Sequence, residues 1–262
     1  MSRDRAGRPY LTVVIPAYNE ERRLPGTLAR IAAYADKAGL TAEILVVDDG
    51  SADSTARIAS EFLKGRRGRV VRNPGNRGKG FSVRRGVMEA EGRWVLLTDA
   101  DLSAPIEEHA GLAEAARSYD VDVAIGSRAL AGSRIEVRQN ALRQTMGKTF
   151  NRVIRLMTGL PFHDTQCGFK LMDRDRVRPI FAKMVVDRFA FDVEFLYLCM
   201  RFGLKVREVP VVWRNAPGSK VSLVGDPVNM LMDVARVRWR FRRGLYHPDL
   251  PAKGGAGDGG GK

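Results

Sequence analysis

Three short apolar runs in the first hundred residues each stop at a cluster of acids, and this pattern sets what the chain can become. They are Leu11-Thr-Val-Val-Ile15 before Pro16-Ala-Tyr-Asn-Glu20, Glu43-Ile-Leu-Val-Val47 before Asp48-Asp49, and Trp94 to Thr98 before Asp99-Ala-Asp101. Brief β-rich runs bounded by turn residues suit strands of a sheet covered on both faces. The first is expected to stop at Pro16, which a central strand does not accommodate. Helical spacing fills the intervals. One helix is expected over roughly Glu20 to Lys37, with Pro25 marking a start or kink. Another, capped by Asp53 or Ser51, runs to about Lys64, and a third runs from about Phe81 to Glu89. A short strand at Val70-Val71, a glycine and lysine loop from Gly75 to Gly80, a helix start at Pro105 and a fifth strand from Val121 to Ile125, ending in Gly126-Ser-Arg128, complete the first half. Strand and helix alternating at this spacing predict βα units, a parallel sheet and right-handed crossovers.

In such a sheet the carboxyl ends of the strands share one edge, where ligands bind. Glu20, Asp48, Asp49, Asp99 and Asp101 then become one acidic site. Asp99 and Asp101, two apart, point the same way off their strand. Their repulsion, roughly 4 kcal/mol at about 4 Å and an effective dielectric near 20, is relieved by a shared proton or a cation. All-oxygen ligands suit Mg²⁺ or Mn²⁺, which keep waters and bridge to substrate phosphates. Helix capping is the competing account. It explains Asp53 and Ser103 but not paired acids twice.

Composition narrows the partner. The 262 residues suit one large domain, or a domain with an appended piece, and the chain carries 44 Lys and Arg against 30 Asp and Glu, a net +14. The partner is therefore anionic: nucleic acid, phosphates or an acidic membrane surface. Two cysteines, Cys167 and Cys199, both beside apolar residues, predict reduced, buried thiols in a cytosolic protein. No run reaches the eighteen or so apolar residues of a spanning helix, and the start, with Arg3, Arg5 and Arg8, lacks a signal peptide's apolar core. The chain is expected not to be an integral membrane protein by itself.

The second half is less regular. Helices are expected from about Asn140 to Met157 and from Ala190 to Arg201, with strands at Gly168 to Met172 and Val206 to Trp213 and a loop from Arg214 to Ser222. From Pro227 to Arg243, Met230, Val234, Val237 and Phe241 recur at helical spacing while Arg236, Arg240 and Arg243 lie on another face. Such a basic amphipathic helix fits either a membrane surface or packing on the core. The glycine-rich end after Pro251 is expected to be a tail.

Four ordered motifs carry a resemblance. Val-Val-Ile-Pro-Ala-Tyr-Asn-Glu-Glu from Val13, Val-Val-Asp-Asp-Gly-Ser-Ala-Asp-Ser-Thr from Val46, Asn76-Arg-Gly-Lys-Gly80 and Thr98-Asp-Ala-Asp101 resemble the family 2 inverting glycosyltransferases over nearly the whole chain. Asp164-Thr-Gln-Cys-Gly-Phe-Lys170, Phe189-Ala-Phe-Asp-Val-Glu194 and Gly218-Ser-Lys220 are similar to the dolichyl-phosphate glucosyltransferase and polyprenyl-phosphate mannosyltransferase branch. The resemblance implies an α/β fold of GT-A type, a Rossmann-like, mostly parallel sheet flanked by helices. It implies one glycosyltransferase domain over 10–245, with a nucleotide-binding half at about 10–130, an acceptor half at about 131–245 and flexible tails at 1–9 and 248–262. It also implies a divalent cation, and transfer of sugar from a nucleotide diphosphate, UDP-glucose first and GDP-mannose second, to a polyprenyl phosphate.

Carried over residue by residue, Pro16, Tyr18 and Glu20 would line the nucleotide and Asp48 would read the base. Asp99 would sit by the ribose or metal, and Asp101 would be the firmest metal ligand. Lys79 would lie near the donor. Arg128 and Arg143 resemble acceptor-phosphate contacts, although Gly147 stands where related sequences often have Ser. Arg214 and Lys220 flank a Pro-Gly loop that could fold over the diphosphate. Asp192 and Glu194 are candidate positioning residues, or simply hold Arg188 or a loop. For each arginine a solvated surface charge is the competing account. No Gln-x-x-Arg-Trp string occurs, which argues against a processive polysaccharide synthase.

The acceptor's chemistry decides the mechanism. A hydroxyl must lose a proton to attack and needs a general base. A phosphate monoester, with a second pKa near about 6, is already mostly dianionic and needs only cations to hold it. One displacement inverts the anomeric carbon, so an α-linked donor gives a β-linked product. The reading places the protein peripherally on the inner face of the cell membrane and leaves room for an integral-membrane partner protein. Transfer to a soluble hydroxyl is the rival enzyme reading. A nucleic-acid-binding module, suggested by charge alone, lacks aromatics interleaved with its basic residues.

Overall fold

The β-branched runs pair in parallel. Strand β1 (Leu11–Ala17) lies beside β2 (Ala42–Asp48), Leu11 opposite Ala42 and Ala17 opposite Asp48. The computed structural model describes residues 7–137, 141–214 and 225–247, without the side chains of 137, 141–146, 148, 225 and 226. The chain continues through α1 (Leu24–Lys37), α2 (Thr55–Leu63), β3 (Gly68–Arg72), α3 (Lys79–Glu89), β4 (Trp94–Leu97), a 3₁₀ turn at Ile106–Glu108, α4 (His109–Ser118) and β5 (Val123–Ser127). Then come β6 (Arg134–Val137), α5 (Ala141–Thr158), β7 (Lys170–Asp173), α6 (Arg174–Lys183), α7 (Phe191–Arg201), β8 (Val206–Pro210), β9 (Val212–Arg214) and α8 (Gly225–Arg242).

Seven strands form one sheet in the order β3-β2-β1-β4-β7-β5-β8, and β6 pairs with β9 in a two-stranded sheet. All neighbours in the large sheet run parallel except β7, which is antiparallel to both β4 and β5. Alternate residues of each strand face opposite sides. Val14, Leu45, Val47, Val95, Leu97, Val123 and Ile125 enter one core, while Leu11, Val13, Ile15, Ile44, Val46, Leu96 and Ala124 enter the other. The first core is closed by residues of α3, α6, α7 and α8, the second by α1 and α4. Fully buried apolar side chains on both faces are what near-continuous β-branched runs require.

Several expectations shift in detail. Strand β1 runs through Pro16 rather than ending at Ile15, with Pro16 opposite Val47. The Val14 carbonyl accepts from Thr98 N at 3.1 Å, so Val14, and Pro16 two residues on, point to the β4 side, where pairing ends at Val14 opposite Leu97. The missing N–H of Pro16 therefore removes no ladder bond. The fifth strand starts at Val123 and not Val121, because the Val121 N–H is taken by Ala116 O at the end of α4. The single strand expected over Val206 to Trp213 divides at Val211, β8 joining the large sheet and β9 the small one. Val211 N donates to Ser127 and its carbonyl accepts from Arg134. Helix α6 was not expected; it starts where Asp173 accepts from Asp175 N and Arg176 N, and it tolerates Pro179 six residues in. Cys167 and Cys199 are buried free thiols.

The expected apolar stripe of the last helix packs inward. Met230, Val234 and Val237 are buried in the first core, with Phe241 packed against it. Among the described residues no helix is long and apolar enough to cross a membrane.

Candidate active site

The loops after β1 and β2 are tied into one structure. Asn19, in the left-handed region at φ 51°, donates its N–H to Ser51 Oγ at 2.9 Å and accepts from Ala52 N on Oδ1 at 2.9 Å. Glu20 N donates to Thr55 Oγ1, and Glu21 and Asp53 exchange further bonds between the loops. This clamp sets Pro16, Tyr18 and Glu20 beside Asp48. Tyr18 is exposed, Pro16 is half-buried, and the Glu20 carboxylate is forked by Arg23 at 2.7 and 2.9 Å.

The two acids after β2 divide their work. Asp48 is fully buried: Oδ1 accepts from Ser51 N, and Oδ2 faces Arg72 Nε at 3.1 Å without meeting it in hydrogen-bond geometry. A buried carboxylate oxygen in that state suits a further N–H donor. Asp49 instead builds the glycine loop, accepting from Asn73 Nδ2, Arg77 N and Gly78 N at 2.8 to 2.9 Å. Gly78, at φ 103°, lies so close to Asp187 that an added Cβ would stand 2.4 Å from its carbonyl oxygen. The loop therefore needs glycine there.

Lys79, the next residue, opens α3 and reaches across to β4. Its Nζ lies 2.6 Å from Asp99 Oδ1, both side chains about one quarter exposed. Burial opposes the charge on each, yet their mutual attraction wins. Asp99 is held below the ordinary carboxyl range, helped by Lys170 and Arg128, and Lys79 is held above the ordinary amine, helped by Asp192 and Asp101. Asp99 also abuts Gly168, where a Cβ would lie 2.4 Å from Oδ2.

Beyond Asp99 the chain turns sharply. Leu102, at φ 46°, returns its N–H to Asp99 O, Asp101 Oδ1 accepts from Ser103 N at 2.9 Å, and Thr27 Oγ1 holds Ala100 O at 2.6 Å. Asp101 is left half-buried at the edge of the sheet. Asp48 and Asp99 follow strands separated by β1, roughly 10 Å at ordinary strand spacing. That is too far to share one ion and about right for groups spaced along a nucleotide.

Among the described residues no three Asp, Glu, His or Cys side chains gather closely enough to form a metal cage. The donor set instead fits a cation that takes one or two carboxylates and completes its shell with water and diphosphate oxygens. Of the two acids expected to bind it, Asp99 is engaged by Lys79, and Asp101 is half-buried with Oδ1 accepting from Ser103 N.

The end of β5 and the second half supply further basic groups. Arg128 forks Asp164 through Nε at 2.6 Å and Nη2 at 2.9 Å, and its guanidinium stacks on Trp213 at 4.8 Å. Asp164 is itself fixed by Glu208, whose carboxylate accepts from the backbone of His163 and Asp164. Arg214 N donates to Ser103 O at 2.7 Å, binding β9 to the Asp101 turn, while its side chain pairs with Glu136 at 2.6 Å. The Arg143 side chain and the whole of Lys220 lie outside the described residues. Gly147 is exposed, and an added Cβ would meet nothing within 4 Å.

Asp192 and Glu194 are buried in the first turn of α7. Asp192 pairs with Lys170, whose Nζ also donates to Cys167 O. Glu194 accepts from Val185 N, Val186 N and Tyr246 OH, so it fixes the 184–186 loop. Lys170, Asp164 and Trp213 were given no role from the sequence, and Asp49, expected in the acidic site, holds the glycine loop instead. The signal for the first two lay in the Asp164 to Lys170 string, which joins a buried base to a buried acid.

Acidic turns at the carboxyl edge of a GT-A type sheet, a lysine in a glycine loop and a forked arginine opposite them describe a transferase of nucleotide-activated sugars. Residues 12–181 match Glycosyl transferase family 2, and the chain belongs to that family and is a glycosyltransferase. It is similar to the dolichyl-phosphate beta-glucosyltransferase of Dictyostelium discoideum, 32% identical over 249 residues that cover 90% of this chain and 76% of the relative. The enzyme of that name from Drosophila melanogaster is 35% identical over 249 residues, 90% of this chain and 76% of its own. Among solved structures, mannosyl-3-phosphoglycerate synthase from Rubrobacter xylanophilus shares the fold with a TM-score of 0.66 at 20% identity, covering 93% of this chain and 79% of that one. Glucosyl-3-phosphoglycerate synthase from Mycobacterium tuberculosis, in complex with Mn²⁺, uridine-diphosphate and glucosyl-3-phosphoglycerate, gives 0.64 at 20% identity, with 95% and 83% coverage.

Proposed function

We propose that the protein transfers glucose from UDP-glucose to a polyprenyl phosphate of the dolichyl type, giving a β-linked lipid phosphate sugar. The observation that carries the reading is the charge state around Arg128. The acids there, Asp99, Asp164 and Asp192, are each committed to a cation: Lys79, Arg128 and Lys170. A hydroxyl acceptor needs a carboxylate free to take its proton, and a phosphate dianion does not. The dolichyl-phosphate beta-glucosyltransferase names of the relatives support the same acceptor and sugar.

In this reading the half at about 10–130 binds the nucleotide and the half at about 131–245 the acceptor. Pro16, Tyr18 and Glu20 line the nucleotide, and Asp48 accepts the base's ring N–H. Lys79 offsets charge on the diphosphate. Asp101 would hold Mg²⁺ or Mn²⁺, which would supply positive charge against the departing diphosphate. Arg128, with Arg143, Arg214 and Lys220, orients the acceptor phosphate, their charge and remaining N–H groups meeting its oxygens. Asp192 and Glu194 position Lys170 and the 184–186 loop. A phosphate oxygen attacks the anomeric carbon as the bond to the diphosphate breaks, and the electron pair leaves with the nucleotide. The water-soluble donor meets a membrane-held acceptor, which places the protein peripherally on the inner face of the membrane.

A donor screen read by product mass tests the proposal. UDP-glucose with a polyprenyl phosphate and Mg²⁺ is expected to give an acid-labile hexosyl phospholipid. Product from GDP-mannose alone overturns the donor, and an acid-stable glycoside overturns the acceptor.

A further inference from the structure

Helix α8 buries one face and leaves another uncovered. Val228, Met232 and Trp239, spaced four and seven residues apart with Ala235 between them, form a line along its outer side, and each is more than half exposed. Helix α5 packs beside α8 and does the same: Leu156 is 87% exposed, with Val153 next to it. A single exposed apolar side chain is ordinary, but two adjacent helices each carrying an uncovered apolar line are not.

The charges around these lines are one-sided. Residues 141–158 contain no acid, and the stretch from Val234 through Arg243 holds five arginines and no acid. Elsewhere on the surface, helical arginines are paired with acids along the same helix, as in Arg57 with Glu61, Arg85 with Glu89 and Arg117 with Glu114. Among the described residues Arg152, Arg155, Arg242 and Arg243 form no ion pair, while Arg236 has Asp233 one turn before it. Arg243 instead stacks over Trp239 at 5.5 Å, an amphipathic ring beside a cation. Apolar lines edged by unpaired arginines match a surface that is apolar below and anionic above, which is a bilayer leaflet. A second copy of the chain suits this face poorly, because a two-fold contact would set arginine against arginine.

We propose that the outer faces of α5 and α8 together dock the protein onto an anionic lipid bilayer, with Leu156, Met232 and Trp239 entering the interface and the arginines meeting lipid phosphates. The inference rests on the lipid-phosphate acceptor reading and adds the surface that serves it. Geometry joins that surface to the site. A groove lined by Arg188, Met232, Asp233 and Arg236 opens on the α8 face, and Arg188 lies against Gly78, where an added Cβ would stand 3.4 Å from its Cγ. Lys79 is the following residue. A headgroup held at the α8 face therefore arrives beside the glycine loop rather than across the molecule from it.

Co-sedimentation of the full chain with phosphatidylcholine vesicles, with and without phosphatidylserine, tests the proposal. The wild type is expected to bind the anionic vesicles and to be released by salt, whereas Leu156→Glu/Trp239→Glu and, separately, Arg242→Glu/Arg243→Glu bind about tenfold more weakly. Both variants are expected to keep wild-type turnover on a short-chain, water-soluble isoprenyl phosphate. Unchanged vesicle binding in both variants overturns the proposal. So does a wild-type dimer that either variant converts to monomer in sedimentation velocity, which would assign the face to a second copy. Failure of the wild type to glycosylate any isoprenyl phosphate in detergent would instead sink the acceptor reading, whatever the vesicles show.

Discussion

Lys79 Nζ stands 2.6 Å from Asp99 Oδ1, so the glycine loop and the end of β4 meet through one ion pair. The pair's contribution to stability has two limits. Asp99 titrates lower in the folded protein, so its share is present above the ordinary value of 3.8 and is lost as pH falls through the lowered one. Lys79 titrates higher, so its share is full below 10.5 and is lost as pH rises through the raised value. Lys79→Met should thus be destabilised by a constant amount across about pH 5 to 9, and the difference should shrink in strong acid. Denaturant melts over that range check it, and kcat should fall roughly 100-fold at neutral pH.

Asp101→Asn keeps the oxygen that accepts from Ser103 N but removes the charge. Thermal stability should hold while turnover disappears at every Mg²⁺ or Mn²⁺ concentration. Activity recovered by raising the metal would show that the cation is held elsewhere.

Lys170 and Asp192 are almost wholly buried, at 1% and 6% side-chain exposure. Lys170→Met leaves Asp192 charged and alone, and should cost roughly 3–5 kcal/mol in urea unfolding. Lys170→Met/Asp192→Leu should recover most of that stability. Turnover should stay low in both, because Asp99 loses the charge of Lys170 in each and Lys79 also loses that of Asp192 in the second.

Gly168→Ala and Gly147→Ser make a matched pair of small additions. The first puts a methyl 2.4 Å from Asp99 Oδ2 and must push the carboxylate off its place beside Lys79, while the second meets nothing within 4 Å. Gly168→Ala should lose most of its turnover. Gly147→Ser should stay within about 0.5 kcal/mol of wild-type stability and keep its activity.

His109 is buried, its Nδ1 at 2.9 Å from Tyr34 OH, and burial pushes its pKa down from 6.5 to about 4. The unfolded chain therefore binds the extra proton first as pH falls. Stability should drop by about 2 kcal/mol between pH 7 and pH 5 on this account. In His109→Phe that part of the slope should vanish, as melting temperatures at the two pH values would show.

The carboxyl edge of the sheet was readable because its acids sit where strand periodicity ends, and each of β1, β2 and β4 kept the expected core. Asp49 shows the limit of such reading. Beside Asp48 it looked like a second ligand-facing acid, yet its oxygens are spent on Asn73, Arg77 and Gly78, contacts from residues 24 to 29 positions away. The Met230, Val234, Val237 and Phe241 stripe likewise gave a helix but not its environment, since periodicity marks an apolar face without saying what covers it. Gly168 to Met172 read as a strand, found at Lys170–Asp173, but nothing local revealed a direction set by two neighbours more than forty residues distant.

That reversed strand has a consequence for how the chain matures. With β7 wedged between β4 and β5, and β8 on the far flank, β5 finds no partner among the residues that precede it. A ribosome that has released only the first 130 residues leaves β5 unpaired and the β4 border open, so assembly of the sheet waits for the stretch ending at Pro210.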